Sequence, residues 1–228
     1  MLTVIIVAAG SSRRMGFDKL FAEIAGQSVL AHTIAVFERT GAVTAIVIVA
    51  QEDRHGAIES IVRKQGFKKI HAIVKGGEHR QDSVRAGLDR LPENAHHVAV
   101  HDAARPLVTQ EQIERVYQLA CEHGAAALAA AATDTLKYAD VDLAVTGSVD
   151  RRQLFSMQTP QIFERKMIKE AYRSVMAGKI FITDEVSAVE RSGVKVVLVP
   201  NEQANFKITY PEDLPMAEFV LKQRAKSG

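Results

Sequence analysis

The chain of 228 residues has one cysteine, Cys121, and no tryptophan. A single thiol excludes an intrachain disulfide framework and a thiolate zinc site. On an expected helix, Cys121 reads as a small core residue. Charge of one sign is also scarce: 29 Lys and Arg against 27 Asp and Glu leave +2. That balance, with only 6% aromatics, argues against a nucleic-acid binder, which needs a basic stripe and stacking platforms. No apolar run approaches the roughly 18 residues of a membrane span. The first strand-like run begins at Thr3, so no leader peptide is expected and the location reads as cytoplasmic. There is no G-x-S-x-G elbow, H-E-x-x-H or C-x-x-C. The eight histidines are scattered and form no triad. No repeat or linker divides the chain.

What remains is an alternation of two patterns. Apolar runs at Thr3–Ala8, Ala45–Ala50, Ile70–Val74, His97–His101, Ala125–Ala132 and Val194–Val199 predict strands. Helical periodicity lies between them at Val29–Arg39, Asp53–Gln65, Arg80–Leu91 and Gln110–Glu122. Ser28 and Thr109 suit N-caps, and Gly41, Gly66 and Gly124 suit the residue after a helix. The rhythm predicts an α/β fold with a mainly parallel sheet covered by helices on both faces. It breaks over 133–159, a polar stretch with short alternating segments. This reads as a hairpin-like arm leaving the body of a single domain spanning 1–228. A lone hairpin is marginal in water, so the arm is expected to pack on a second subunit; a long surface loop is the alternative. Further helices are expected near Arg165–Ala177 and Asp184–Ser192, and a last one from Pro211, where proline suits the first turn.

Chemistry concentrates where strands end. Val4 to Gly10 runs into Ser11-Ser12-Arg13-Arg14-Met15-Gly16, with Lys19 following. A small-residue turn exposing backbone N–H groups beside cations is an anion pocket for a polyphosphate. Met15 and Gly16 stand where a Walker A loop needs Gly-Lys, and Ser12 where a dinucleotide fingerprint needs glycine. His101-Asp102-Ala103-Ala104-Arg105-Pro106 also follows a strand. A carboxylate beside a polyphosphate is repelled unless a divalent cation bridges them, so Asp102 is the expected Mg²⁺ ligand; Arg105 is expected to pair with it. Gly76-Gly77 permits close backbone approach to a base or ribose, and Ser83 could face the same crevice. Glu78 and His79 read as turn and cap residues. Thr135, Arg151, Thr159, Thr183, Asp184 and Lys207 are further candidates, Arg151 and Lys207 for a phosphorylated second substrate. Cations and a metal carboxylate without a nucleophile suit a reaction in which one substrate's phosphate attacks another's. Positioning and charge neutralisation then carry the catalysis.

These segments, with Thr159-Pro160-Gln161, Thr183-Asp184-Glu185 and Lys207-Ile208-Thr209, closely resemble the 2-C-methyl-D-erythritol 4-phosphate cytidylyltransferase family, in order and over nearly the whole chain. The resemblance implies a Rossmann-like nucleotidyltransferase fold, a homodimer held by the 133–159 arm, and Mg²⁺ dependence. It implies transfer of a cytidylyl group from CTP to 2-C-methyl-D-erythritol 4-phosphate, giving 4-CDP-2-C-methyl-D-erythritol and pyrophosphate, in non-mevalonate isoprenoid synthesis. By motif, Arg14 and Lys19 would stabilise the charged α-phosphate. Arg151 and Lys207 would orient the acceptor, and Thr135 would reach the partner's site. Ala8, Ala9, Gly10, Ser11, Gly77, Ser83, Ala104, Arg105, Thr159 and Thr183 complete the implied binding set. Ribitol-5-phosphate cytidylyltransferases share the scaffold and are the alternative. Three positions depart from the family's usual pattern: Asp18 before Lys19, Glu78 after the double glycine, and Ala204 before Asn205.

Overall fold

The structure, a computed structural model, describes residues 1–10 and 15–227. In chain order the elements are β1 (Leu2–Ala8), β2 (Glu23–Ile24), β3 (Gln27–Ser28), α1 (Val29–Arg39), β4 (Val43–Ala50), α2 (His55–Gln65), β5 (Ile70–Lys75), α3 (Arg80–Leu88) and β6 (His97–Asp102). They continue with α4 (Gln110–His123), β7 (Ala125–Ala131), β8 (Lys137–Ala139), β9 (Val145–Ser148), β10 (Phe155–Glu164), α5 (Arg165–Ala177), α6 (Glu185–Glu190), β11 (Val197–Pro200) and α7 (Asp213–Ser227). Short 3₁₀ turns precede α2 at Glu52–Arg54 and β10 at Arg151–Gln153.

Seven strands form one sheet in the order β11-β7-β10-β6-β1-β4-β5. All its pairings are parallel except those of β10, which runs antiparallel to both β6 and β7. The apolar runs are continuous because both faces are covered. Along β1, Val4 and Ile6 enter one core with Leu30, Ile34 and Phe37 of α1 and Ile113 and Val116 of α4. Ile5 points the other way, into a core with Val84 and Leu88 of α3 and Ile168 and Tyr172 of α5. Each such fully buried side chain contributes roughly 1.5–3 kcal/mol. Gly87 makes the close approach of α3 possible, since a Cβ there would lie 2.7 Å from Ile5 Cγ2.

The caps follow the sequence. Ser28 accepts from the Ala31 N–H, and Thr109 accepts from Gln112 N–H while the Gln112 side chain accepts from Thr109 N–H. Gly66 and Gly124 end their helices in the left-handed region, whereas Gly41 follows the extended Thr40 cap without a positive φ.

Several boundaries differ from expectation. The stretch expected as the arm's end, 155–159, opens β10, with Phe155 paired to Ala131. Its polar Ser156, Gln158 and Thr159 hid a strand, because Gln158 and Thr159 face the site. What leaves the sheet is the hairpin β8–β9, whose Tyr138, Val141, Leu143 and Val145 are exposed. The last strand and last helix start later than expected, at Val197 and Asp213. Asp213 turns its carboxylate back to accept from the N–H groups of Thr209 and Tyr210. Cys121 is exposed on α4 rather than in the core. Among the described residues, no helix is long and apolar enough to cross a membrane.

Candidate active site

Parallel strands aim their carboxyl ends at one edge of the sheet, where ligands of such folds bind. Two cavities open there. The first, of about 440 Å³, is lined by Ala8, Ala9 and Gly10 at the end of β1, by Lys19, by Gln51 after β4, by Gly77 to Arg80 and Ser83, and by Asp102, Ala104 and Lys207. The second, of about 530 Å³, is lined by Arg105 and by Gln158, Thr159 and Gln161 of β10, and by Thr183, Asp184 and Ser187 at the start of α6. Arg80, Asp102 and Lys207 line both cavities.

Asp102 is the junction. Its Oδ1 accepts from Arg80 Nε and Nη2 at 3.3 and 3.2 Å. Its Oδ2 lies 2.9 Å from Lys207 Nζ and 3.7 Å from Arg105 Nε. Burial alone would raise this carboxyl, but Arg80, Lys207 and Arg105 outweigh it and hold it well below the usual carboxylate range. Arg80 is itself fixed from behind. Its Nη1 and Nη2 meet the two oxygens of the fully buried Glu185 at 2.6 and 3.0 Å, and the Tyr172 hydroxyl donates to the same carboxylate at 2.8 Å. A fork-to-fork pair of this kind fixes direction as well as charge. Burial and the Glu185 charge together push the Tyr172 phenol up.

His101 sets the backbone around Asp102. The Arg105 carbonyl can only accept, so His101 Nε2 carries the imidazole proton and donates to it at 3.1 Å. Nδ1 of the neutral ring then accepts from the Thr159 hydroxyl at 3.0 Å, and the same hydroxyl oxygen accepts from Asp102 N–H. Burial pushes the imidazole down to about 4, against the Arg105 carbonyl and the Asp102 charge. Gly76 shapes the first cavity, since a Cβ there would fall 2.4 Å from Ala9 Cβ and 2.9 Å from Ser83 Oγ. Ser83 Oγ in turn accepts from Gly77 N–H at 3.2 Å.

The expected residues therefore divide. Ala8, Ala9, Gly10, Lys19, Gly77, Ser83, Ala104 and Asp102 meet at the first cavity, and Arg105, Thr159, Thr183 and Lys207 at the second. Glu78 and His79, expected as turn and cap residues only, also line the first. Thr135 and Arg151 line neither: Thr135 is exposed on the arm, and Arg151 donates to the Thr133 carbonyl at the arm's base. Ser11 and Arg14 lie outside the described residues. Sequence reasoning missed Glu185, Gln161 and the positioning part of Arg80 and His101. Gln161 is buried and joins β10 to α6, accepting from the N–H groups of Glu185 and Val186 and donating to Asp184. The only signal for these residues was their place inside motifs read for other members.

The chain matches a known group of proteins. A family model described as 2-C-methyl-D-erythritol 4-phosphate cytidylyltransferase (IspD) covers residues 2–223. The chain belongs to this family. Relatives bearing that name include one from Caldanaerobacter subterraneus subsp. tengcongensis, 40% identical over 97% of this chain and 99% of its own. Another, from Alkaliphilus metalliredigens, is 37% identical over 98% of this chain and 94% of its own. The crystal structure of a 4-diphosphocytidyl-2C-methyl-D-erythritol synthase from Anaerococcus prevotii superposes with a TM-score of 0.86 at 30% identity, covering 97% of this chain and 96% of that one. That of a 2-C-methyl-D-erythritol 4-phosphate cytidylyltransferase from Thermus thermophilus gives 0.79 at 27% identity, over 96% and 98%. The chain is thus a nucleotidyltransferase, with the α/β fold of that group.

The depressed imidazole gives a pH signature. Unfolded, His101 titrates near its ordinary 6.5, and folded near about 4. Between those values the unfolded chain binds more protons, so stability falls as pH drops through the window and is unaffected by this group above it. The free energy of unfolding, from urea melts in EDTA, is expected to lose up to about 3 kcal/mol from His101 across that window. His101→Gln should flatten that slope; an unchanged slope would contradict a buried neutral imidazole.

Proposed function

We propose that the protein transfers a cytidylyl group from CTP to 2-C-methyl-D-erythritol 4-phosphate, giving 4-CDP-2-C-methyl-D-erythritol and pyrophosphate, with the nucleotide in the first cavity and the polyol phosphate in the second. The observation that carries this reading is the wall the cavities share: Arg80, Asp102 and Lys207 face both. A phosphate in one cavity and a triphosphate in the other meet at a cationic seam. An oxygen of the acceptor phosphate bonds to the α-phosphorus of CTP as the bond to the β-phosphate's bridging oxygen breaks, and the electron pair leaves with pyrophosphate. The attacking oxygen is already ionised, so no general base is needed. The chain supplies alignment and positive charge where charge gathers on the α-phosphate. Lys19 does so in the first cavity, its ammonium steered by a 2.6 Å bond to the Ile208 carbonyl. Lys207 does so at the seam. Arg14 joins them in this reading on the strength of its motif. Gly77 and Ser83 hold the nucleoside, and Ala8, Ala9, Gly10, Ser11 and Ala104 its phosphates. Arg105, Thr159 and Thr183 support the acceptor.

A divalent cation such as Mg²⁺, held by Asp102, would supply charge neutralisation on the bound triphosphate. The donor set fits one. Among the described residues no three metal-ligating side chains cluster. Asp102 offers one carboxylate facing both cavities, and Mg²⁺ is commonly held by one or two carboxylates together with substrate phosphates. Lys207, the most exposed of the three cations on Asp102, is the one able to swing off toward phosphate.

Thr135 and Arg151 enter this reading from a second subunit. Neither lines either cavity within one chain, and this, with the exposed Val141, Leu143 and Val145 of the β8–β9 hairpin, supports an arm that packs on a partner and completes its acceptor site. The cytoplasm suits the substrates.

Pyrophosphate release with Mg²⁺ and CTP is expected with methylerythritol phosphate and not with ribitol 5-phosphate, and not when ATP, GTP or UTP replaces CTP. Lys19→Ala should lower turnover about a hundredfold or more while the fold persists, as loss of one oxyanion donor does; wild-type turnover would remove Lys19 from the chemistry. Mixing Lys19→Ala with Thr135→Ala subunits should restore activity in the heterodimer that neither variant has alone. No rescue would place the complete site within one chain.

A further inference from the structure

Arg54 lies in the 3₁₀ turn after β4, outside the lining of either cavity, yet its side chain is only 12% exposed and holds both flanks of the β1 loop. Its Nη1 donates to the Ala8 carbonyl at 2.8 Å and to the Gly10 carbonyl at 2.9 Å. Its Nε meets Asp18 Oδ2 at 2.7 Å. Between the two backbone contacts, Gln51 Nε2 donates to the Ala9 carbonyl at 3.1 Å. Three successive carbonyls at the end of β1 are thus held by side chains of one short segment.

The peptide unit is planar and trans, so fixing a carbonyl also fixes the N–H across it in the opposite direction. Holding the Ala8 and Ala9 carbonyls turns the N–H groups of Ala9 and Gly10 away from the 51–54 segment. Carbonyl oxygens repel a polyphosphate and N–H groups attract it, so the direction of these peptides sets the sign of the local field. At the other flank, Asp18 stands immediately before Lys19. Left alone, its carboxylate would offset the ammonium that faces the first cavity. It does not stand alone: Oδ2 is neutralised by Arg54, and Oδ1 accepts from Leu20 N–H at 3.2 Å. One guanidinium therefore orients the peptides before the loop and neutralises the acid after it.

We propose that Arg54 is a positioning residue for CTP. It touches no substrate, and acts by fixing the Ala8–Gly10 peptides and drawing the Asp18 charge off Lys19. The proposal rests on the assignment of the first cavity to the nucleotide.

The test uses the full chain with Mg²⁺, with CTP binding followed by calorimetry and turnover by pyrophosphate release. Arg54→Met should weaken CTP binding about tenfold or more, in line with loss of charge-assisted hydrogen bonds, while KM for the polyol phosphate at saturating CTP stays within about twofold. Arg54→Lys, able to reach a carbonyl but not to span both flanks, should recover part of the loss. Adding Asp18→Asn to Arg54→Met should recover part of the lost CTP affinity, because no unpaired carboxylate then stands beside Lys19, and Arg54→Lys serves if Arg54→Met does not fold. A merely structural part for Arg54 would move both KM values and the melting temperature together, and would overturn the proposal. Wild-type CTP affinity in both Arg54→Met and Arg54→Lys would also overturn it. Lys19→Ala separates the two layers. If it loses CTP affinity or turnover while the Arg54 variants do not, the brace fails and the cavity assignment stands. If neither residue matters, the cavity assignment fails as well.

Discussion

The site depends on the buried carboxylate of Asp102 among Arg80, Lys207 and Arg105. Taking the carboxylate away from such a buried pair costs about 3–5 kcal/mol, which ties Arg80 and Arg105 to Asp102; Lys207, the most exposed of the three, is the least firmly held. Each cation comes from a different part of the chain: Arg80 from the first turn of α3, Arg105 from the turn after β6, and Lys207 from the extended segment before α7. The carboxylate gathers them at one sheet edge. Without it, three like charges would stand close together in a partly desolvated cleft.

This arrangement also links fold to chemistry. Arg80 is clamped to Asp102 on one side and to Glu185 on the other, and Glu185 is held by Tyr172 and by the Gln161 bridge from β10. The second cavity is therefore built on β10 and α6, and the first on the ends of β1 and β4 and the start of α3. Asp102, at the end of β6 between those halves, touches both. The antiparallel course of β10 matters for the same reason. It brings Thr159 beside Asp102, where the hydroxyl both accepts from the Asp102 N–H and donates to His101.

Much of the fold was legible because it rests on local rules. The runs Thr3–Ala8 and Ala45–Ala50 are buried on both faces and could hardly be anything but central parallel strands. Ser28, Thr109, Gly66 and Gly124 cap their helices by chemistry carried in their own side chains or, for glycine, in the lack of one. Ala125–Ala131 is a strand although alanine favours helix, because it pairs with β10 on one side and β11 on the other; its short run between turn signals still marked it. β10 was not legible, since its polar residues serve the site and its pairing is set by strands distant in sequence. Cys121 was misjudged because helix phase, not residue type, decides which face it takes.

The site was legible where glycine and charge coincide with a strand end, as at Gly10, Lys19, Asp102 and Gly77. It was opaque where a residue acts through another. Glu185 and Gln161 stood in the sequence only as members of motifs; folding sets Glu185 against Arg80 and Gln161 against the start of α6, and Arg151 and Thr135 line neither cavity within one chain. Asp18, a departure from the family pattern, looked like a charge against Lys19; only the fold brings Arg54 to it. The central claim is that the cluster around Asp102 is the seam at which nucleotide and acceptor meet. A crystal structure of the full protein with CTP, Mg²⁺ and methylerythritol phosphate tests it most directly. The account predicts the α-phosphorus between Lys19 and Lys207, the cytidine against Gly77 and Ser83, and the acceptor phosphate in the cavity lined by Arg105 and Thr183. A triphosphate bound elsewhere, with Asp102 still holding all three cations, would contradict it.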